Sequence, residues 1–414
     1  MSAARDKQIV QGPREMDLFG DTPAALGVTH SATSPATVAA TDLLAASDGG
    51  ATSASPPDYP TRGAGATHSV NTVDATADFA STTAPVARRT RGIAPAPPSN
   101  ALLELSRALP ATIHLGTSSW SFPGWDGLVY GAAYSNQALA KGGLRAYAAH
   151  PLLRSVSLDR SFYAPLTLAE YANYAAQTPE HFRFMVKAPS LVTDAVLRGT
   201  RGEPGSNNPC FLDVALAIRE FVTPCIEGLG SRAGALVFQF SPLPREWLAA
   251  PGAWIERVGA FLAALPRLPD GVWYAVEIRD GALLTPRFIK MLQATGTRYC
   301  MAIHTRMPDA IRQAAALALL DAVTPGPLLV RWSLHAGFKY EQAKAKYEPF
   351  DRLVDEDLAT RTALAQLAAH YAAAGQGVII TANNKAEGSA PLTCLKLAEQ
   401  IVAVMSREPP SKPN

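Results

Sequence analysis

Residues 377–384 read GVIITANN, an apolar run that changes abruptly into two amides, and residues 385–391 (KAEGSAP) continue it as a turn. Seven earlier apolar runs, from residue 113 onward, also end in polar or glycine-rich residues. In parallel α/β barrels the strands end in this way on the rim that carries the functional site. The run at 377–384 therefore predicts a buried strand whose carboxyl end belongs to such a rim.

The eight runs alternate with helical patterns, which predicts parallel pairing through right-handed crossovers. We predict an α/β fold, a (β/α)8 TIM-type barrel. A doubly wound open sheet is the alternative, although no Gly-x-Gly-x-x-Gly follows the first strand. The predicted strands span 112–117, 154–159, 181–188, 234–240, 272–279, 298–304, 327–334 and 377–383. The predicted helices span 136–149, 167–177, 211–229, 252–264, 284–295, 309–322, 356–374 and 391–406.

Composition divides the chain unevenly. Residues 1–100 contain three aromatic residues among abundant Ala, Ser, Thr, Pro and Gly, whereas all six Trp and all four Cys follow residue 112. A segment of that composition buries too little apolar area to offset its ordering entropy. The sequence therefore predicts a disordered extension over 1–108, the barrel over 109–409 and a disordered tail over 410–414.

Net charge, cysteine spacing and the lack of long apolar segments restrict the partners and the location that we expect. The formal net charge of +2 in 414 residues gives no basic footprint, which disfavours nucleic acid as a partner without removing it. The cysteines show no Cys-x-x-Cys spacing and are predicted to be buried thiols. No secretory signal and no uninterrupted apolar span is visible, so we expect a cytoplasmic protein that does not contact the membrane.

Charged residues at three predicted strand ends suggest an anion site. Lys187 closes the apolar run FRFMV, Glu277 and Arg279 lie two apart on one strand face, and Arg331 closes the seventh strand. Three cations around one mouth favour an anionic small molecule or a phosphate-bearing substrate. The alternatives are a snorkelling Lys187 and a Glu277–Arg279 pair that only neutralises itself.

Amides and aromatic rings supply further candidates for substrate binding. Asn383 and Asn384 follow the eighth strand and Gln239 closes the fourth, and each can hydrogen-bond a substrate or simply shape a turn. Trp120 and Trp125 flank a Pro-Gly pair in the first loop. Their rings can stack on a base or sugar, or pack beneath the loop.

Metal binding is an open alternative with a weak signal. Asp159, Glu277, His304 and His335 carry the oxygen and nitrogen ligands that divalent metals accept. Their spacing contains no His-x-His or His-x-x-x-His pair. The sequence therefore implies no cofactor strongly, and a divalent metal is retained only as an alternative.

Six ordered motifs also carry a family resemblance. The chain resembles the YecE-like proteins, the family catalogued as domain of unknown function seventy-two (DUF72), which implies a TIM-type barrel over about 112–408. The SFY motif adds Tyr163 as a substrate-binding candidate. The motifs are IHLGTSSWSFPGW (113–125), SFY (161–163), FRFMVKAP (182–189), LVFQ (236–239), AVEIR (275–279), and NN with GSAP (383–384 and 388–391).

The chain departs from the family pattern at three places on the rim. After the fifth strand, DGA (280–282) replaces the usual aromatic-rich turn. The second strand ends SLDRSFY (157–163), where the family has a Glu-x-Asn-like arrangement, so one carboxylate is lost and an acid replaces the amide. Around the seventh strand, RWSLH (331–335) carries an extra residue relative to Arg-x-His. The resemblance therefore supports a site role for Arg331 more strongly than for His335.

These candidates give three functional hypotheses. The first is an enzyme of hydrolytic phosphoester chemistry, in which Lys187, Arg279 and Arg331 hold the anion and Glu277 or His335 moves a proton. The second is a non-catalytic nucleotide or nucleic-acid binding protein. The third is a metal-independent sugar-phosphate isomerase or lyase, because the same cations and base would serve it.

Overall fold

Eight parallel strands close into a barrel in this computed structural model, which describes residues 92–198, 204–335 and 337–407. The order around the barrel is β1, β2, β3, β6, β7, β8, β9 and β10, with β10 paired to β1; β4 and β5 form a separate antiparallel hairpin. The strands are β1 Ile113–Thr117, β2 Leu153–Leu158, β3 Arg183–Lys187, β4 Val196–Arg198, β5 Pro204–Asn207, β6 Ala233–Gln239, β7 Trp273–Glu277, β8 Arg298–Ile303, β9 Leu328–Trp332 and β10 Val378–Ala382.

Helices surround the barrel and fill its connections. They are α1 Asn100–Ala108, α2 Asn136–Gly142, α3 Leu144–Ala148, α4 Arg160–Tyr163, α5 Leu168–Ala175, α6 Ser190–Thr193, α7 Val214–Ala217, α8 Thr223–Leu229, α9 Arg245–Ala249, α10 Pro251–Ala263, α11 Pro286–Thr295, α12 Ala310–Asp321, α13 Tyr340–Tyr347, α14 Leu358–Ala373 and α15 Ala390–Arg407. A π-helical turn at Ile218–Val222 joins α7 to α8.

The predicted barrel is confirmed, and the doubly wound alternative is wrong because β10 pairs with β1 and leaves no open edge. Each of the eight predicted strands overlaps one barrel strand, and the predicted helices overlap those packed outside. Short polar residues cap several of these helices. Thr167 forms a capping box with Glu170 at α5, and Asp309 accepts the Arg312 N–H at α12.

The predicted extension falls outside the described residues as far as residue 91, as does the tail at 410–414. The predicted end of the extension at residue 108 is wrong, because α1 is folded against the barrel. Ser99 caps α1, and Leu102 and Leu105 pack against the core. Arg154 on β2 donates to the carbonyl oxygens of Ser106 (2.6 Å) and Pro110 (3.0 Å). Burial of one narrow helix face stabilises a segment whose composition alone suggested disorder.

The segment 337–357 after β9 forms a cap over part of the carboxyl end of the barrel. Its helix α13 belongs to a small apolar cluster with Tyr347 and Phe350. Phe350 meets Phe122 of the first loop edge-on at 5.7 Å between ring centroids. The cap is also tied to the turn after β10, because the Val354 N–H donates to the Glu387 carbonyl oxygen at 2.8 Å. Three loops on one side of the rim are thereby joined.

Two further findings concern the chain as a whole. The four cysteines are free, and Cys225, Cys300 and Cys394 are buried. Within the described ranges, no helix combines the length and the apolar character needed to span a membrane.

Candidate functional site at the carboxyl end of the barrel

Strand alternation places the charged residues of the rim. Apolar side chains from six strands fill the barrel and form a cluster of their own, which comprises Met185, Ala235, Val237, Ala275, Cys300, Leu329 and Ile379. Side chains two residues apart on a strand share a face. The positions two residues after Met185, Val237, Ala275 and Leu329 are Lys187, Gln239, Glu277 and Arg331. These four side chains therefore lie above the apolar filling, where the strands end.

Arg331 connects two carboxylates from different strands. Its Nη1 lies 2.7 Å from Glu277 Oε2, and its Nη2 lies 2.8 and 2.7 Å from the two carboxylate oxygens of Asp159. Glu277 is fully buried and Arg331 is 5% exposed, so water screens this network little. Arg331 is thus engaged within the protein on both sides of its guanidinium group.

Arg279, two residues after Glu277, completes the network. Its Nη2 lies 2.6 Å from Glu277 Oε1 and 3.2 Å from Gln239 Oε1. Gln239 Oε1 also accepts a hydrogen bond from Arg331 Nη1 at 3.1 Å. The Arg279 Nε is buried and makes no hydrogen bond within the residues described. We call the set Asp159, Lys187, Gln239, Glu277, Arg279 and Arg331 the charged mouth.

Both carboxylates of the charged mouth are held ionised. Burial opposes ionisation of Glu277, but Arg279 and Arg331 outweigh it, and the net effect lowers the pKa of Glu277. Burial likewise opposes ionisation of Asp159, and Arg331, Lys187 and the Ser157 hydroxyl, which donates at 2.7 Å, reverse it to a lowered pKa. Neither carboxylate readily takes up a proton near neutral pH.

Lys187, in contrast, is shifted toward its uncharged form. Burial lowers the pKa of Lys187 to about 8; Asp159 partly offsets this, and the charges of Arg331 and Arg279 add to it. The Nζ lies over the ring of Phe162, 3.5 Å from its centroid. Among the described residues Lys187 makes no hydrogen bond and no ion pair within 4.0 Å through this nitrogen. A substantial fraction of the amine is therefore neutral at slightly alkaline pH.

The two asparagines after β10 shape the turn. Asn384 is 1% exposed, and its Oδ1 accepts the Ala390 N–H at 2.8 Å, where α15 begins. Asn383 donates to the Ser118 hydroxyl at 2.8 Å and accepts the Lys385 N–H at 3.0 Å. The turn-shaping alternative describes Asn384, whereas Asn383 is partly exposed beside the end of β1.

The aromatic candidates separate into buried and exposed rings. Trp125 is fully buried and packs against Phe122 and Tyr147, so the prediction that it stacks on a ligand is wrong. Trp120 is 7% exposed, with its Nε1 bonded to the Leu139 carbonyl oxygen, so packing describes it as well. Trp120 also meets Tyr174 of α5 edge-on at 5.5 Å, so both rings pack inward. Tyr163 is 68% exposed and meets Phe162 edge-on at 5.4 Å.

The weak metal candidates do not come together. No three His, Cys, Asp or Glu side chains cluster as metal ligands within the described part of the chain. Asp159 and Glu277 are turned onto arginines. His304 follows β8 and its Nδ1 accepts the Arg306 N–H at 3.3 Å, and the His335 ring meets Phe338 edge-on at 5.1 Å. Sequence spacing could not exclude the cluster, because the four residues come from four different strand ends.

Sequence reasoning missed two residues of this rim. Phe162 was seen only as part of a motif, yet its ring covers the Lys187 amine. Lys385 is 7% exposed, and its Nζ lies 4.0 Å from the centroid of the Tyr340 ring in the cap. The available signal was position, since Phe162 lies three residues after Asp159 and Lys385 directly follows the paired amides.

The fold and the charged mouth define an α/β barrel protein with an ionic site at the carboxyl end of its strands. A family model described as "Protein of unknown function DUF72" matches residues 114–414, and the chain belongs to this family. No curated protein matches the chain. Similar solved structures include a DUF72 family protein from Enterococcus faecalis V583 and one from Thermotoga maritima MSB8. The former is 18% identical with a TM-score of 0.45, covering 70% of this chain and 95% of that chain. The latter is 19% identical with a TM-score of 0.46, covering 70% and 98%.

Proposed function

We propose that this protein is an enzyme that binds a small anionic substrate, bearing a carboxylate or a phosphate, at the charged mouth and removes a proton from it with Lys187. The supporting observation is a lysine amine with a lowered pKa, beside two arginines, that has no carboxylate within 4.0 Å among the described residues. Perturbed ionisable groups of this kind concentrate at catalytic sites. The reaction class is isomerisation or elimination, the third hypothesis from the sequence.

The choice of Lys187 as the base follows from the state of the carboxylates. Glu277 has an arginine nitrogen against each oxygen, at 2.6 and 2.7 Å. A carboxylate so engaged loses these ion pairs when it accepts a proton, so it is a poor base. Lys187 loses no such contact, and its pKa of about 8 is close to the operating pH of a general base.

The cations of the charged mouth suit an anionic substrate. Lys187, Arg279 and Arg331 face two carboxylates, so one positive charge is in excess when Lys187 is protonated. The buried Nε of Arg279 has a hydrogen left to donate. A substrate carboxylate or phosphate would meet this surplus charge in a poorly screened site.

Phosphoester hydrolysis is the second candidate, and the convergence of the three cations favours it. Its proton-transfer step was expected from Glu277 or His335. With Glu277 paired to two arginines, Lys187 is the better group to take the proton from an attacking water. A non-catalytic nucleotide or nucleic-acid binding protein would use the same cations but would not depend on a neutral Lys187 amine.

The test is to incubate the full chain in D2O with a panel of 2-oxo acids, sugar phosphates and nucleotides. Proton NMR reports exchange of carbon-bound hydrogen, and phosphorus NMR reports phosphate release. We expect exchange to fall about 100-fold or more in Lys187→Met. The exposed Lys290 provides the matched control, Lys290→Met, which should retain full activity.

The outcomes separate the hypotheses. Exchange that survives in Lys187→Met overturns the proposal. Phosphate release without exchange favours hydrolysis. Ligand binding by calorimetry with neither reaction favours the binding protein.

A further inference from the structure

Lys187 is half-buried, and the surroundings of its amine differ from those of most lysines that a fold withdraws from water. A buried ammonium normally has a carboxylate within ion-pair distance, because its desolvation is otherwise uncompensated. Lys187 has the face of Phe162 at 3.5 Å instead, and its Nζ has no hydrogen-bond partner among the described residues. The two carboxylates whose charges act on it, Asp159 and Glu277, are both taken by Arg331. The lone pair of the neutral amine is therefore not engaged by any residue that the structure describes.

An amine of this kind is also a nucleophile. Lysines that are desolvated, or that lie beside other cations, attack carbonyl carbon atoms to form imines. We infer that Lys187 forms a covalent imine with its substrate, which is therefore a small anion that also carries an aldehyde or ketone group. This inference rests on the proposed function, because it gives the same residue and the same mouth a covalent step.

The step balances without any further reagent. The amine lone pair forms a bond to the carbonyl carbon, and the carbonyl oxygen gains a proton to give a carbinolamine. Loss of that oxygen as water, with loss of the hydrogen from nitrogen, leaves the imine. Amine plus carbonyl compound thus becomes imine plus one water, and nothing is oxidised or reduced.

The charges of the mouth fit the product. A protonated imine carries one positive charge on the nitrogen that carried it in the lysine ammonium. The balance of three cations against Asp159 and Glu277 is therefore restored when the imine is protonated. The cation withdraws electrons from the adjacent carbon, so a proton there becomes easier to remove. The Nε of Arg279, which makes no hydrogen bond to a described residue, remains available to the anionic end of the substrate.

The charges around Lys187 also favour its neutral amine, which is the form that attacks a carbonyl group. Burial and the two arginines shift the Lys187 amine toward its neutral form, with a pKa of about 8. Phe162 covers one side of the nitrogen, so the carbonyl compound must approach from a side that the ring leaves uncovered. A lysine that acted only as a base would need the neutral form too, and the covalent adduct is what distinguishes the two roles.

The experiment traps the adduct by reduction. The full chain is incubated with pyruvate or, separately, with dihydroxyacetone phosphate, and sodium borohydride is added; intact mass and peptide mapping then locate the modification. The two probes share a carbonyl group and differ in their anion, so they separate a carboxylate substrate from a phosphate substrate. Lys187→Arg keeps the charge without a neutral amine, and Lys290→Arg is the matched surface control.

We expect one reduced adduct per chain, on Lys187, with at least one probe. It should persist in Lys290→Arg and disappear in Lys187→Arg, whose fold is checked by circular dichroism. Adduct formation at equal yield in Lys187→Arg overturns the inference, and so does the absence of an adduct with both probes. If no adduct forms while hydrogen exchange still requires Lys187, the imine fails and the proposed proton transfer stands. If exchange is independent of Lys187, the proposed function fails as well.

Discussion

Arg331 and Glu277 form an ion pair across the barrel, with 2.7 Å between Nη1 and Oε2, although Glu277 is fully buried. Removing both charges from water costs several kcal/mol, and the cost is offset only when the remaining polar atoms are satisfied. Arg279 and Gln239 provide part of that satisfaction, at 2.6 Å from Glu277 Oε1 and at 3.1 Å from Arg331 Nη1. The Nε atoms of Arg279 and Arg331 make no hydrogen bond to a described residue. The network therefore behaves as one unit.

Glu277→Gln should destabilise the protein by roughly 3 kcal/mol, because it leaves Arg279 and Arg331 buried with too little negative charge. Denaturant unfolding measures the free energy. Glu256→Gln is the matched control, since Glu256 pairs with Arg287 at the surface with 70% of its side chain exposed. We expect a loss below about 1 kcal/mol there. Equal losses at both positions would mean that the buried network contributes no more than a surface pair.

Lys187→Met should stabilise the protein by roughly 1–3 kcal/mol at pH 7, because the charged lysine is disfavoured in the folded state. The pKa of Lys187 falls from 10.5 to about 8 on folding. The unfolded chain therefore binds more protons between these values, and the stability of the parent protein rises as the pH increases through this range. The advantage of Lys187→Met should be fully present below pH 8 and shrink toward pH 10.5. Thermal unfolding between pH 6 and pH 10.5 checks this, and an advantage that is independent of pH would contradict it.

The barrel was predictable because each strand is a continuous apolar run that ends in a polar residue. Those runs depend on burial of both strand faces, which leaves a strong local pattern. Helix α1 escaped prediction because only Leu102 and Leu105 of its residues pack against the core, too little apolar area for composition to reveal.

The convergence of the charged rim residues was predictable, and the way in which they pair was not. Lys187, Glu277, Arg279 and Arg331 converge as the strand pattern indicated. The sequence could not show that Arg331 binds Asp159, 172 positions away, because that contact depends on barrel closure. The same holds for Trp125, which is buried against Tyr147 of α3.

Gly388→Ala should destabilise the turn that follows β10 by about 2 kcal/mol or more, for two reasons. Gly388 has a φ of +118°, and an added Cβ would lie 2.5 Å from the Arg352 carbonyl oxygen in the cap. Gly271→Ala is the control for backbone strain alone, since Gly271 has a φ of +82° and no atom within 4 Å of the new Cβ. We expect about 1 kcal/mol there. Equal losses of stability in thermal unfolding would show that the cap shifts to accommodate the added Cβ without further destabilisation.

A chain that begins at residue 109 should be less stable than one that begins at Gly92. It lacks the core contacts of α1 and the Ser106 carbonyl oxygen that accepts from Arg154 at 2.6 Å. Loss of this acceptor for a partly buried guanidinium costs about 1–3 kcal/mol. Denaturant unfolding of the two chains compares them directly. Identical midpoints would mean that α1 lies on the barrel without stabilising it.

The pKa of Lys187 should move in opposite directions in two variants. Asp159 raises the pKa of Lys187, so Asp159→Asn should lower it below about 8; burial lowers it, so Phe162→Ala, which opens one side of the amine, should raise it toward 10.5. The rate at which an acylating reagent modifies Lys187 follows the neutral amine, so its midpoint in a pH titration reports the pKa. Asp270→Asn, at a fully exposed carboxylate, is the control and should leave the midpoint unchanged. A midpoint near 10.5 in the parent protein, or shifts of the same sign in both variants, would show that neither the neighbouring charges nor the covering ring sets the reactivity of this amine.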